Sequence, residues 1–265
     1  LGVRWIQPLQ ERVTDLVWRL GSSHEPEQRI ILLDIDERSL QEIGPWPWDR
    51  THIAQLMEQL ATQGAAQQIW DIVFTDPRAG DSAVREQIAV NAPVLSQIFA
   101  LPGQGVNIYG GQLSSALDWN ICPPPFGSAT GYLGNTHSIL SDQTRIGHIT
   151  PRLSGDGILR YQPAVLCYQG RAYGALALAA LMQAGDEHSL TLTRGAGWLQ
   201  PAWQLHSAQA TFPPVPLQPN GDLLIPWRLV PDSFISLSAS DLLAGRVPPA
   251  MLRNAWVLVG SSAFG

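Results

Sequence analysis

Apolar side chains recur along the first twenty residues at steps of three and four: Trp5, Ile6, Leu9, Val13, Leu16, Val17 and Leu20. That period predicts an amphipathic helix, and Gly21-Ser22 supplies its stop. The stripe has two destinations: it packs on the core of the domain, or it continues a membrane-spanning helix and carries a signal. The pattern then changes. Residues 29–36 read R-I-I-L-L-D-I-D, an apolar, β-branched run that suits a strand buried in a parallel sheet. Residues 51–62 return to helical spacing through Ile53, Leu56, Met57 and Leu60, with Gly64 as the C-terminal stop. Residues 68–74, Q-I-W-D-I-V-F, form a second buried strand, closed by Thr75-Asp76-Pro77. A helix over 82–90 and a strand over 93–98 complete a strand–helix–strand–helix–strand series. Such a series implies right-handed crossovers and a parallel sheet.

The second half is less regular. Residues 103–134 are rich in Gly, Pro and Ser and read as a long excursion over the surface. Ser154-Gly155-Asp156-Gly157 predicts a hairpin between strands over 146–153 and 158–167, and Gln169-Gly170 turns the chain again. An Ala/Leu-rich helix follows over 174–184. Residues 191–219 are proline-rich and read as irregular. Asn220-Gly221 is a hairpin turn into a strand at 223–225, followed by a short capped helix over 238–243 and an apolar strand over 255–259. The fold class expected is α/β, a central and mainly parallel β-sheet flanked by helices, with antiparallel hairpin additions. The expected division is an N-terminal amphipathic, membrane-proximal helix over 1–24 and a single α/β domain over 25–265.

Composition narrows the function. With 45% hydrophobic and 14% charged residues in 265, the chain has material for a sizeable core. A net charge of −6 argues against a nucleic-acid partner, which needs a basic patch for phosphates. The chain has no lysine, and all 16 basic residues are arginine. A Walker-A loop, a pyridoxal Schiff base and a kinase lysine are thereby excluded. No stretch of 18 or more apolar residues occurs, so none of the sequence is expected to span a bilayer. The chain starts at Leu1 and stops after Gly265 as if cut from a longer protein, and flanking transmembrane helices are expected. Cys122 and Cys167 either pair in an oxidising compartment or remain buried thiols.

The densest chemistry is a set of carboxylates at strand ends. Asp34 and Asp36 end the first strand; Asp71 lies in the second and Asp76 follows it. Ligands of open α/β sheets bind beyond the carboxyl ends of the strands. If the two strands are neighbours, these acids converge there. Asp34, Asp36 and Asp71 are then candidates to hold a divalent cation, the one cofactor the sequence admits, or a cationic or hydroxylated ligand. The competing reading is that the acids cap helices or pair with Arg38, Arg50 or Arg160. In Gly44-Pro45-Trp46-Pro47-Trp48-Asp49-Arg50, two indoles alternate with stiffening prolines, either as an aromatic wall for a ligand or as a plug over the sheet end. Ser261 and Ser262 follow the last strand and either donate to a ligand or cap a helix. Asp-x-Asp phosphatase chemistry lacks its lysine, and no nucleophile elbow or His-Glu-x-x-His motif is present. No catalytic residue is assigned.

The ordered set of motifs resembles a known family. It runs from Asp-Ile-Asp at 34–36 through Ser39-Leu40, Gly44 to Arg50, and Trp-Asp-Ile-Val-Phe-Thr-Asp-Pro at 70–77. It continues with Asp156-Gly157-Ile158-Leu159-Arg160, Ala175-Leu176-Ala177-Leu178-Ala179, Phe234-Ile235-Ser236 and Asp241-Leu242-Leu243-Ala244-Gly245. It closes on Val257-Leu258-Val259-Gly260-Ser261-Ser262-Ala263. The series, over residues 29–263, resembles the type-2 CHASE domain. The resemblance implies an extracytoplasmic, periplasmic sensor of a bacterial membrane receptor, after one transmembrane helix and before others. Its output would be a nucleotide cyclase, a histidine kinase of a two-component system or a Ser/Thr kinase.

The expected function is therefore sensing, not catalysis by the domain itself. A small-molecule or protein signal would bind, with Asp34, Asp36, Trp46, Trp48, Arg50, Asp71, Asp76, Arg160, Ser261 and Ser262 as candidate ligand contacts. A homodimer is the expected assembly. The alternatives are a dimerisation module without ligand and a metal-dependent hydrolase built on Asp34, Asp36 and Asp71.

Overall fold

The computed structural model describes residues 3–103, 108–119, 122–141, 144–196 and 200–263, with the backbone alone for 3–10. The chain opens with helix α1 (Val3–Leu20), strand β1 (Glu27–Asp34), α2 (Glu37–Ile43) and α3 (Arg50–Thr62). Strand β2 (Gln67–Trp70), α4 (Asp81–Asn91) and β3 (Val94–Ala100) follow. The middle supplies β4 (Tyr109–Gly110), β5 (Gly127–Ser128), β6 (Gly131–Leu133), β7 (Arg145–His148), β8 (Arg152–Leu153), β9 (Leu159–Pro163), β10 (Val165–Tyr168) and β11 (Arg171–Gly174). Then come α5 (Leu176–Ala184), β12 (Leu190–Arg194), β13 (Trp203–Ser207), β14 (Val215–Leu217) and β15 (Asp222–Leu224). Strand β16 (Phe234–Ser238), α6 (Ala239–Leu243), α7 (Pro249–Leu252) and β17 (Trp256–Gly260) complete it.

The main sheet has the order β16-β1-β17-β2-β3-β6-β4, with β7 also paired to β3. The α/β class holds: β16, β1, β17, β2, β3 and β7 run parallel, and β6 joins β3 antiparallel. Strand alternation divides the sheet's side chains between two cores. Ile31, Leu33, Trp70, Leu95, Val257 and Val259 face α3, α4 and α6, whose Ile53, Leu56, Leu60, Val84, Ile88 and Leu242 are buried against them. Ile69 and Val94 face α5 on the other side, where Leu176, Ala179 and Ala180 close the layer. Only glycine fits at 147 on β7, because a Cβ there would lie 2.4 Å from the Cα of Leu176. A third core of Phe126, Val165, Cys167, Leu178, Leu190, Leu205 and Leu217 fills a lobe of small sheets.

Three expectations change. The last strand, β17, lies between β1 and β2, so the two strands with terminal acids are not neighbours. The stretch over 191–219 read as irregular contributes an antiparallel sheet of β12, β13 and β14, with Pro216 on the edge strand, where a missing N–H is tolerated. The predicted strand over 146–153 divides. Its first part, β7, joins the main sheet, and only β8 forms the hairpin with β9.

Helix α1 also departs from packing its stripe on the core. Val13, Leu16, Val17 and Leu20 point to solvent, while Arg160 on β9 grips the opposite face. The ion pair from the buried Arg160 to Asp15 fixes the helix rotation more narrowly than apolar contact, which has no direction.

Candidate functional site

Parallel strands β1, β17 and β2 end at one edge of the sheet, where loops from α2, α3 and α4 also arrive. Asp34 is in register with Gly260, and the Asp71 N–H donates to Val259 O at 2.8 Å, one residue beyond the Val259–Trp70 pair. Asp34 and Asp71 therefore flank β17, with a glycine between them. Two strand spacings put their backbones about 10 Å apart. Among the described residues, no group of three or more His, Cys, Asp or Glu is arranged to hold a metal ion. The convergence expected of Asp34, Asp36 and Asp71 assumed neighbouring strands, whereas β17 lies between β1 and β2.

The two acids of β1 are engaged. Asp34 accepts from the Ser262 N–H at 2.8 Å and from its hydroxyl at 2.5 Å. Asp36 caps α2, accepting from the Ser39 N–H at 2.8 Å, and takes a second bond from the Ser238 hydroxyl at 2.9 Å. Burial pushes the Asp36 carboxyl up, but the bonds from Ser39 and Ser238 outweigh it and hold it below its ordinary value. Neither acid takes an arginine partner among the described residues. Arg38 pairs with Glu42 and Asp241, Arg50 with Asp81, and Arg160 with Asp15 and Asp156. Ser261 donates to Ile35 O at 2.9 Å; with Ser262 it ties the end of β17 to β1 rather than capping a helix.

Beyond β2 the chain opens into a crevice of about 510 Å³, lined by Trp46, Pro47, Arg50, Asp71, Ile72, Phe74, Asp76, Arg78, Ile98, Leu133, Ile149 and Ser261 among others. Asp71 differs from the other acids. No hydrogen bond or ion pair reaches its carboxylate from the described residues. It is open to the crevice, yet the surrounding walls displace enough water for burial to hold its carboxyl above the ordinary value. Asp76 stands at the exposed rim, where Thr75 donates to it at 3.2 Å. Arg78, also on the rim, has no acidic partner among the described residues.

The wall is rigid by construction. Arg50 is 4% exposed, donates to Asp81 at 2.9 Å and to Asp76 O at 3.0 Å, and lies 4.7 Å from the centre of the Phe74 ring. Its charge is fully used, so Arg50 shapes the crevice and is not free for a ligand. Asp81 also accepts from the Arg78 N–H at 3.0 Å and from Ser138. Asn135 holds the segment after β2, accepting from the Phe74 N–H at 2.9 Å and donating to Ser96 O at 2.9 Å. The two indoles divide the roles proposed for them. Trp48 is a plug, 3% exposed, with its N–H on Gly44 O at 2.8 Å. Trp46 stacks edge-on against it at 5.7 Å and presents its other side to the crevice.

Of the sequence candidates, Trp46, Asp71, Asp76 and Ser261 meet around one cavity, with Arg50 as a wall. Asp34, Asp36, Trp48 and Ser262 hold the adjacent backbone. Arg160 lies elsewhere, clamping α1. Asp81, Arg78 and Asn135 escaped the sequence reading. Asp81 stood at a recognisable helix start, but nothing marked Asn135 at the end of the Gly-rich excursion. A larger groove of about 690 Å³ between 21–29 and 226–229 is a weaker candidate, because its buried acid, Glu27, is already paired with Arg29 at 2.6 Å.

The family model of the CHASE2 domain matches residues 1–265, the whole of the chain. No curated protein and no solved structure matches.

Proposed function

The chain belongs to the CHASE2 domain family, and on that premise we propose that it is the ligand-binding, extracytoplasmic part of a transmembrane signalling receptor with a cytoplasmic cyclase or kinase output. CHASE2 domains are sensory domains of receptors. No described helix is long and apolar enough to cross a membrane, so in this reading the anchoring helices are flanking segments. The disulfide between Cys122 and Cys167, with Cα atoms 5.9 Å apart, agrees with an oxidising compartment.

One observation carries the ligand site: the Asp71 carboxylate opens into the crevice without a partner among the described residues, beside the apolar and aromatic side chains of Trp46, Phe74, Ile98 and Ile149. A carboxylate that only water satisfies can exchange that water for the polar head of a ligand. The complement is a small molecule with a cationic or hydroxylated head for Asp71 and an apolar body for Trp46, Phe74, Ile98 and Ile149. Such a ligand binds one arrangement of the sheet end better than another and so shifts the balance between them.

The test is the thermal midpoint of the domain against amines, amino acids, polyols and divalent cations. At 100 times its Kd, a ligand specific to the folded state adds about 2.7 kcal/mol of stability. A compound that raises the midpoint of the native domain but not of Asp71→Asn supports the site. A shift retained in Asp71→Asn moves the site elsewhere, and no shift with any compound favours a dimerisation module without ligand.

A further inference from the structure

The polar side of α1 is occupied and its apolar side is not. Arg160, 3% exposed, donates to Asp15 at 2.9 and 2.7 Å and to Asp156 at 2.8 Å, with Glu11 at 3.8 Å. Directly opposite, Val13, Leu16, Val17 and Leu20 are 54%, 56%, 57% and 81% exposed. At 100° per residue these four fall within an arc of about 100°, centred about 150° from Asp15 and about 170° from Glu11. The ion pairs hold the helix so that this stripe cannot turn inward.

We infer that the α1 stripe is the contact surface for a second copy of this chain, which it meets as a parallel two-stranded coiled coil. Ile6, Leu9, Val13, Leu16 and Leu20 are spaced three, four, three and four, the alternation of heptad positions a and d. A repeat of 3.5 residues is matched by a supercoiled partner helix rather than by a flat surface. The flanking charges select direction. With Val13 at a, Arg12 and Arg19 both fall at g. Parallel helices bring each g opposite an e of the partner, so the stem of Arg12 covers Val17 of the other copy. Antiparallel helices bring g opposite g, setting arginine against arginine. A lipid surface fits less well, because a membrane-surface helix keeps a solvated basic face, whereas the far face here carries Glu11 and Asp15 and is covered by the domain. Two and a half heptads make a short coil, so the association is weak, in the micromolar range or above. The dimer does not depend on the ligand site.

The test is sedimentation equilibrium of the chain from micromolar to millimolar concentration, beside single-cysteine cross-linking. The wild-type chain is expected to dimerise. Leu16→Glu weakens dimerisation by roughly tenfold or more, while Val90→Glu, at an exposed position of α4, leaves it unchanged. The described cysteines are paired with each other, so an added one reports alone. In a parallel, in-register coil Val13→Cys, Leu16→Cys and Leu20→Cys each cross-link to themselves. Cross-linking of at most one of them, a chain that stays monomeric throughout, or a dimer indifferent to Leu16→Glu overturns the inference. A monomer that binds phosphatidylcholine–phosphatidylglycerol vesicles, and loses that binding in Leu16→Glu, gives the stripe to a membrane instead.

Discussion

At the end of β1, two aspartates are surrounded by serines; at the end of β2, one aspartate faces apolar walls and solvent. Asp34 and Asp36 accept four hydrogen bonds between them, from Ser262, Ser39 and Ser238, whereas Asp71 accepts none from the described residues. The β1 end holds α2, β16 and β17 together. The β2 end leaves a charge incomplete beside a cavity. Evenly distributed bonds would make both ends structural, so the difference separates the joint from the place where something else can bind.

The largest effect that sharpens this contrast comes from a more extreme case of the unpartnered class. His148, fully buried against Phe99, has neither ring nitrogen hydrogen-bonded among the described residues, and burial pushes its pKa down to about 3 from 6.5. Above pH 6.5 it is neutral in both states and costs nothing through ionisation. As pH falls below 6.5, the unfolded chain takes a proton that the folded one refuses, so stability declines until about pH 3. Over that window the loss sums to about 5 kcal/mol. Denaturant titrations at stepped pH measure it, and His148→Leu flattens this part of the profile. A profile unchanged in that variant breaks the assignment.

Asp81→Ala strikes the wall of the crevice. It strands the Arg50 guanidinium in the core, and such a loss costs about 3–5 kcal/mol. Urea unfolding reports the cost, and a change below 1 kcal/mol would mean that Arg50 finds another partner. Asp36→Ala removes the cap of α2 and is expected to cost about 1–2 kcal/mol.

Asp71→Asn is the smallest perturbation to folding, within about 0.5 kcal/mol, and the largest to ligand binding. Carboxyl NMR titration checks the two ends directly. Asp36, held below 3.8, contributes stability that is present above pH 3.8 and lost as pH falls through its folded value. Asp71, held above 3.8, works in the opposite sense. Its contribution is full below pH 3.8 and lost as pH rises through its folded value. Midpoints on the same side of 3.8 would erase the comparison.

The strand of β1 was legible to within two residues at each end, because an apolar run bounded by charge leaves few alternatives. The helix of α3 was legible for the same reason, its stripe of Ile53, Leu56, Met57 and Leu60 having a definite period. Strand order was not, since pairing β17 between β1 and β2 depends on contacts across nearly the whole chain. The sheet of β12 and β13 carried a readable signal, the alternation of Leu190 with Leu192 and of Trp203 with Leu205, which the surrounding prolines obscured. Periodicity showed that α1 has an apolar face but not which face the domain would grip, because that choice rests on Arg160, far away in sequence. The candidate site was half legible for a similar reason. Strand-end acids are visible as residue types, but whether a serine reaches them is settled by the loops that arrive beside them.

The central place of β17 bears on how the protein reaches its folded state. Strands β1 and β2 are made well before the strand that joins them, so the sheet cannot close until residues 256–260 have emerged. Until Trp256–Gly260 arrives, β1 and β2 each lack a neighbour and expose a hydrogen-bonding edge, a condition that invites pairing with other chains. Contacts this distant in sequence make for slow folding. A receptor domain exported through a membrane would spend that interval unfolded, and its yield would depend on holdase chaperones more than its final stability suggests.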